Sequence, residues 1–161
     1  MAAPTTLDRV DRALLDALRA NGRASYAELA RLVGLSAPSV QDRVRRLEER
    51  GYIAGWTAVV PPAALGLGVT ALVGVVLGEG ADQERVAGLL REVDAIEDCW
   101  LVAGDEAFVV KVRVPDVAGL EATLGVLQRI KGVSRTRTTV VLSTRWEGRT
   151  PPGAAGPEAP E

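Results

Sequence analysis

Apolar residues recur every three or four positions from Leu7 to about Ala20, where Val10, Leu14, Leu15 and Leu18 form one stripe. This period predicts an amphipathic helix. Asn21-Gly22 supplies its stop. A second, shorter helix is predicted over Ser25 to Val33, with Ser25 as N-cap, Glu28 completing a capping box three residues later, and Ala27, Leu29, Ala30 and Val33 lining the inner side. Gly34-Leu35 makes a tight connection to Ser36, the N-cap of a third helix. That helix carries Pro38 in its first turn, where a missing N–H costs little, and ends near Arg50-Gly51.

The stretch Tyr52 to Val60 reads as a short strand able to form a wing, and Pro61-Pro62 with Gly66 and Gly68 reads as a linker. Beyond it the pattern predicts a strand over Val69 to Leu77, a helix over Asp82 to Val93, and strands over Glu97 to Val102 and Ala107 to Val114. A helix over Val117 to Arg129 and a strand over Val133 to Leu142 complete the series. The order βαββαβ is that of a ferredoxin-like split unit. The expected class is therefore α+β, with a winged helix-turn-helix domain over residues 1–60 and a linker over 61–68. A βαββαβ domain follows over 69–146, and then a disordered tail over 147–161.

Composition narrows the chemistry. With 47% apolar and 25% charged residues the chain is globular in character, and its longest apolar run falls well short of the roughly 20 residues that span a bilayer. No basic leader or apolar segment opens the sequence, so no export signal, no membrane partner and a cytoplasmic location are expected. One cysteine and no histidine remove Cys/His zinc sites and Ser-His-Asp or Cys-His catalysis, and no metal or cofactor is expected. Residues 1–60 hold nine arginines against seven acids, whereas the remainder holds ten basic and fourteen acidic residues. The N-terminal part is thus the better phosphate partner.

A helix turns about 100° per residue, so Val40, Val44 and Leu47 share the inner face of the third helix. Pro38, Gln41, Asp42, Arg45, Arg46 and Glu49 fall opposite, with Ser36 and Ser39 at the end that a helix-turn-helix inserts into the major groove of double-stranded DNA. Gln41 suits an adenine edge, Arg45 or Arg46 a guanine or a phosphate, and the two serines a phosphate. Arg43 lies toward the buried flank, which favours a phosphate or intraprotein contact over base reading. An isolated helix of this kind would ordinarily be a solvated charged face. Three short helices with these turn lengths make the DNA-binding reading the stronger one.

These residues resemble a known family. Leu7-Asp8 with Asp11, Asn21-Gly22-Arg23, Glu28-Leu29-Ala30, Gly34-Leu35-Ser36, Val40, Arg43 to Glu49 and Gly51-Tyr52-Ile53 look like the N-terminal signature of the Lrp/AsnC (feast/famine) regulators. Gly104-Asp105, Gly132-Val133, Thr136, Thr138 and Leu142 resemble that family's C-terminal ligand-sensing domain. The resemblance covers about residues 7–146. It implies a sequence-specific transcriptional regulator that forms a homodimer through the sheet domain, assembles further into a higher homo-oligomer such as an octamer, and responds to an amino acid or related small-molecule effector. By the same resemblance, effector contacts come from Gly104, Asp105, Glu106, Ala107 and Phe108, and from Thr136, Thr138 and Thr139. The family commonly has Gly-x-Tyr-Asp-Tyr in the first stretch; here an acidic position has become Ala107, which weakens the case for an ordinary amino acid. Physically, a glycine lets backbone approach a ligand, and Asp105 or Glu106 suits an ammonium group. A plain Gly-Asp hairpin turn accounts for the same residues equally well.

Trp56, Trp100 and Trp146 are expected in packing, Cys99 as a buried, inert thiol on the face opposite Trp100, and Arg135 and Arg137 on one strand face, paired with acids or binding an anion. Two rival classes remain. An effector-independent architectural DNA-binding protein would share the helices, and a βαββαβ enzyme would share the fold. No catalytic set supports the second, since adjacent Asp105 and Glu106 would point to opposite faces of a strand.

Overall fold

The computed structural model describes residues 7–148. They divide into two compact units, one running to Ala58 and the other from Val59 to Glu147. In the first, helix α1 spans Arg9–Ala20, α2 Tyr26–Val33 and α3 Ala37–Glu49. Each start is fixed by a side-chain cap: Asp8 accepts from the Asp11 amide, Ser25 from that of Glu28 within a complete capping box, and Ser36 from that of Ser39. Such caps contribute about 1 kcal/mol each by satisfying orphan amides. Gly34 closes α2 at φ 70°, a left-handed conformation that glycine takes without a Cβ penalty. It thereby sets the turn between the second and third helices.

The core of this unit is small and apolar. Leu14, Leu18, Leu29, Ala30, Val40 and Val44 pack together, with Val10, Val33 and Ile53 at its margin. Ala27, expected inside, is exposed. It precedes Leu29 by two positions and so lies some 200° around the helix from it.

The expected wing strand over Tyr52 to Val60 does not form. No neighbouring strand offers it a ladder among the described residues of this unit, and β-prone composition without a partner leaves backbone groups unpaired. The segment is held by a side chain instead. Trp56 Nε1 donates to Glu48 Oε1 at 2.7 Å, and its ring lies over Gly22, where a Cβ would meet it at 3.4 Å.

In the second unit a 3-10 turn, Pro62–Leu65, leads into β1 Val69–Leu77, α4 Gln83–Arg91, β2 Ile96–Leu101, β3 Phe108–Val114, α5 Val117–Arg129 and β4 Val133–Val141. The sheet order is β2-β3-β1-β4, with all pairs antiparallel, which is the ferredoxin-like arrangement expected. Alternation along the two central strands decides the faces. Ala71, Val73 and Val75 of β1 and Phe108, Val110, Val112 and Val114 of β3 point to one side, where Val86 and Leu90 of α4 and Leu120 and Leu127 of α5 cover them. The other side carries Leu72, Gly74, Lys111 and Arg113, and among the described residues neither α4 nor α5 of this unit packs over it.

Cys99 is exposed rather than buried. It lies opposite Val110, on the helix-covered side, but β2 is an edge strand, and at this position the helices leave it uncovered. Partial burial still pushes its thiol pKa up, so it is a poor nucleophile. Trp56, Trp100 and Trp146 are likewise more exposed than expected, at 51%, 48% and 75%, although Trp56 keeps its contacts with Glu48 and Gly22. Glu147, expected to begin a disordered tail, makes ion pairs with Lys111 and Arg113. The rest of that expected tail, 149–161, lies outside the described residues.

Candidate nucleic-acid interface and ligand-domain geometry

The inner face of α3 is Val40, Val44 and Leu47, each at most 3% exposed, as the helical wheel requires. Ser36, Pro38, Ser39, Gln41, Arg45 and Arg46 are all exposed along the opposite side. Packing of one stripe thus presents the other to solvent as a single ridge. Ser36 and Ser39 lie hydroxyl to hydroxyl at 2.8 Å at the N-terminal end of the helix.

The charged residues of α3 separate into two groups. Arg43 turns back to α1, where its Nη1 donates to Asp8 Oδ2 at 2.6 Å and to Asp11 Oδ1 at 2.8 Å. Of its two alternatives, the intraprotein contact is the one formed. The Asp8 bond, then the Asp11 bond, holds the Arg43 guanidinium firmly charged. Asp8 and Asp11 were missed as partners because a long-range pair leaves no periodic trace; the signal was two acids in the first turn of a helix whose neighbour carries an arginine on its flank.

Arg45 and Arg46 remain on the outer ridge and converge on one carboxylate. Arg45 Nη2 lies 2.6 Å from Asp42 Oδ1, Arg46 Nη2 lies 2.9 Å from Asp42 Oδ2, and Arg45 Nη1 also reaches Glu49 at 3.1 Å. The Arg45 hydrogen bond, followed by the Arg46 charge, keeps the Asp42 carboxyl below its ordinary range, so it is ionised at neutral pH. The ridge therefore offers neutral hydrogen-bonding groups at one end and a compact cluster of opposed charges at the other.

The residues expected to bind an effector do not share one place. Phe108 is 4% exposed and belongs to the core, and the Ala107 amide donates to the Val75 carbonyl at 2.9 Å. Thr136 and Thr138 lie opposite Val75 and Val73 and so face the helix side, where Gln128 Nε2 donates to the Thr136 hydroxyl at 3.2 Å. Thr139 lies opposite Leu72, on the uncovered side. Gly104 and Asp105 sit exposed in the turn before β3. Glu106 turns onto the uncovered side, crosses Gly74 and pairs with Arg137 at 2.9 Å, the acid partner expected for one of the two strand arginines.

On the same uncovered side, Lys111 contacts Glu97, Asp98 and Glu147. Arg113, 8% exposed, contacts Glu97 and Glu147, although its Nε is not aligned to donate. Sequence reading missed this cluster, though Lys111 and Arg113 stand two apart on a strand and so had to share a face. A surface cleft of about 450 Å³, lined in part by Gly80, Asp82, Arg85, Lys131 and Ser134, includes none of the expected effector residues.

Both units match known family descriptions. Residues 7–48 match the AsnC-type helix-turn-helix domain and residues 70–151 the Lrp/AsnC ligand binding domain. The transcriptional regulator LrpA of Mycobacterium tuberculosis is 39% identical over 145 residues, which is 89% of this chain and 95% of the relative. The leucine-responsive regulatory protein of Escherichia coli K12 is 40% identical over 139 residues, covering 84% of this chain and 85% of that protein. Among solved structures, a feast or famine regulatory protein from M. tuberculosis complexed with L-methionine superposes with a TM-score of 0.86 at 37% identity, covering 92% of this chain and all of that one. The chain belongs to the Lrp/AsnC family of transcriptional regulators, a DNA-binding helix-turn-helix followed by the family's ligand-binding domain.

Proposed function

We propose that the outer ridge of α3 is the operator-reading surface, with Gln41, Arg45 and Arg46 at base edges or phosphates and Ser36, Pro38 and Ser39 at the phosphate backbone near the helix N-terminus. Residues 1–60 serve as the DNA-binding domain, 61–68 as the linker and 69–146 as the sensing and assembly domain. The observation that carries this reading is the division of α3, which buries Val40, Val44 and Leu47 and leaves both arginines at its surface. Arg43 is a structural residue in this reading, because it already has two carboxylate partners.

The protein acts in the cytoplasm, as a homodimer or higher homo-oligomer that brings two recognition helices to one face of the duplex. The uncovered sheet side supports assembly with a second copy, since it exposes Leu72 and Trp100 beside the charged cluster. The effector is an amino acid or related metabolite that shifts assembly or helix spacing, by no more than its differential affinity for the two states. The related M. tuberculosis protein complexed with L-methionine supports that class of ligand. Since Thr136 and Thr138 face away from Glu106 and Thr139, the expected contacts become one site only if the assembly brings faces of different copies together. The protein works as a regulator, not as an enzyme.

The test of the DNA surface is the salt dependence of binding by Arg45→Ala and Arg46→Ala. Each variant should bind DNA more weakly, and each lost phosphate contact should lower the salt slope by about one. Unchanged binding in both would remove the role given to this ridge. For the effector, calorimetry across the amino acids, beginning with L-methionine, should give heat with the assembled protein; none with any of them would remove the amino-acid version.

A further inference from the structure

We propose that Asp42 is a specificity filter on the recognition helix, a carboxylate that occupies Arg45 and Arg46 on non-cognate DNA and releases them only where base edges replace all its partners. This rests on the reading that the α3 ridge meets DNA.

Three acids and three arginines make α3 electrically neutral over its length, so the helix has no net charge of its own to draw it to phosphates. The neutrality is arranged geometrically. Each Asp42 oxygen holds one guanidinium, at 2.6 Å for Arg45 and 2.9 Å for Arg46, and the Arg46 Nε also donates to the Asp42 carbonyl at 3.4 Å. With Arg43 bound to Asp8 and Asp11, every arginine of the helix has an acid partner in the free protein.

The side chains of Asp42, Arg45 and Arg46 are 46%, 63% and 52% exposed. Ion pairs this exposed add little to stability, so they exchange partners at small cost. What they change is the competition for the arginines. A phosphate competes with Asp42 for either guanidinium, and must approach the Asp42 carboxylate to do so. Random duplex offers no compensation. A guanine offers O6 and N7 to an arginine, and a cytosine N4 amino group offers a donor to the freed carboxylate, so a major groove with both satisfies Asp42 and the arginine it releases, while Glu49 stays beside Arg45. Asp42 therefore lowers affinity for all DNA and restores it where a cytosine lies within its reach.

The experiment uses the full chain. The wild type is first used to select a preferred duplex from a randomised library. The wild type, Asp42→Asn and the Arg45→Ala/Arg46→Ala double variant are then titrated against that duplex and against a scrambled duplex of equal composition. Asp42→Asn keeps the size of an exposed side chain, and a thermal melt verifies its fold. It should bind the scrambled duplex about three to ten times more tightly, with a salt slope steeper by about one to two. Its preference for the selected duplex should fall about tenfold or more, and reselection should lose a cytosine preference in each half-site. Unchanged affinity of Asp42→Asn for the scrambled duplex overturns the filter, and so does equal weakening on both duplexes, the mark of a positioning residue. If the double arginine variant binds both duplexes like the wild type, the reading of the ridge itself fails. If that variant is weakened while Asp42→Asn matches the wild type, the ridge stands and only the filter falls.

Discussion

Glu106 lies across Gly74. A Cβ added to that glycine would come within 2.6 Å of the Glu106 Cγ, and the carboxylate beyond it reaches Arg137 of β4 at 2.9 Å. The missing side chain on a central strand is therefore what lets an acid from the turn before β3 cross the sheet. Gly74→Ala should destabilise the sheet unit by about 1–3 kcal/mol through overpacking. Adding Glu106→Ala should recover most of that loss, since it removes the clashing atoms, whereas Glu106→Ala alone should cost under about 1 kcal/mol as the loss of a partly exposed pair. Denaturant midpoints of the four proteins form a double-mutant cycle, and additive effects would rule out the contact.

Arg43 and the two arginines of the outer ridge should differ in kind. Removing Arg43 leaves Asp8 and Asp11 without the cation that ties α1 to α3, so Arg43→Ala should lower the stability of the helical unit by about 1 kcal/mol. The slope of DNA affinity against salt should stay that of the wild type. A slope reduced by about one would instead make Arg43 a phosphate contact.

Leu14 is fully buried between the three helices, and the unit around it has few other large core residues. Leu14→Ala should cost about 2–5 kcal/mol and unfold much of the DNA-binding unit at ambient temperature. The sheet unit has its own core. Amide exchange should find protection lost in α1 to α3 and retained in β1 and β3; loss in both would contradict two independent cores.

Glu147 supplies a pH dependence. Lys111 and then Arg113 hold its carboxyl below the ordinary value of 4.5, while Asp98, Glu147 and Glu97 together push the Lys111 pKa up against the opposing effect of burial. A carboxyl with a depressed folded pKa contributes its full stability above the ordinary value and loses it as pH falls through the lower folded one. Glu147→Gln should therefore be less stable than the wild type at neutral pH, by under about 1 kcal/mol given the exposure of the pair, and the two should converge below that window. Parallel stability curves from neutral to acid pH would show that the contact contributes nothing.

Local order carried much of the fold. Caps at Ser25 and Ser36, the stop at Gly34 and the stripe of Val40, Val44 and Leu47 act within one or two turns, so the sequence alone located the three helices and chose which side of α3 is outward. Alternation in β1 and β3 did the same for the sheet, because strand faces follow from a period of two. The failures had a common cause. A strand needs a partner, so Tyr52 to Val60 looked β-prone yet formed none, and burial at an edge depends on what covers it, so Cys99 and Trp100 came out exposed. The division of labour among the α3 arginines was likewise beyond sequence. Which carboxylate each one meets depends on where Asp8, Asp11 and Asp42 stand once the helices have packed. The family resemblance named the effector residues, but only the register of β4 against β1 put Thr136 and Thr138 on one side of the sheet and Thr139 on the other, since a shift of one residue reverses every side chain.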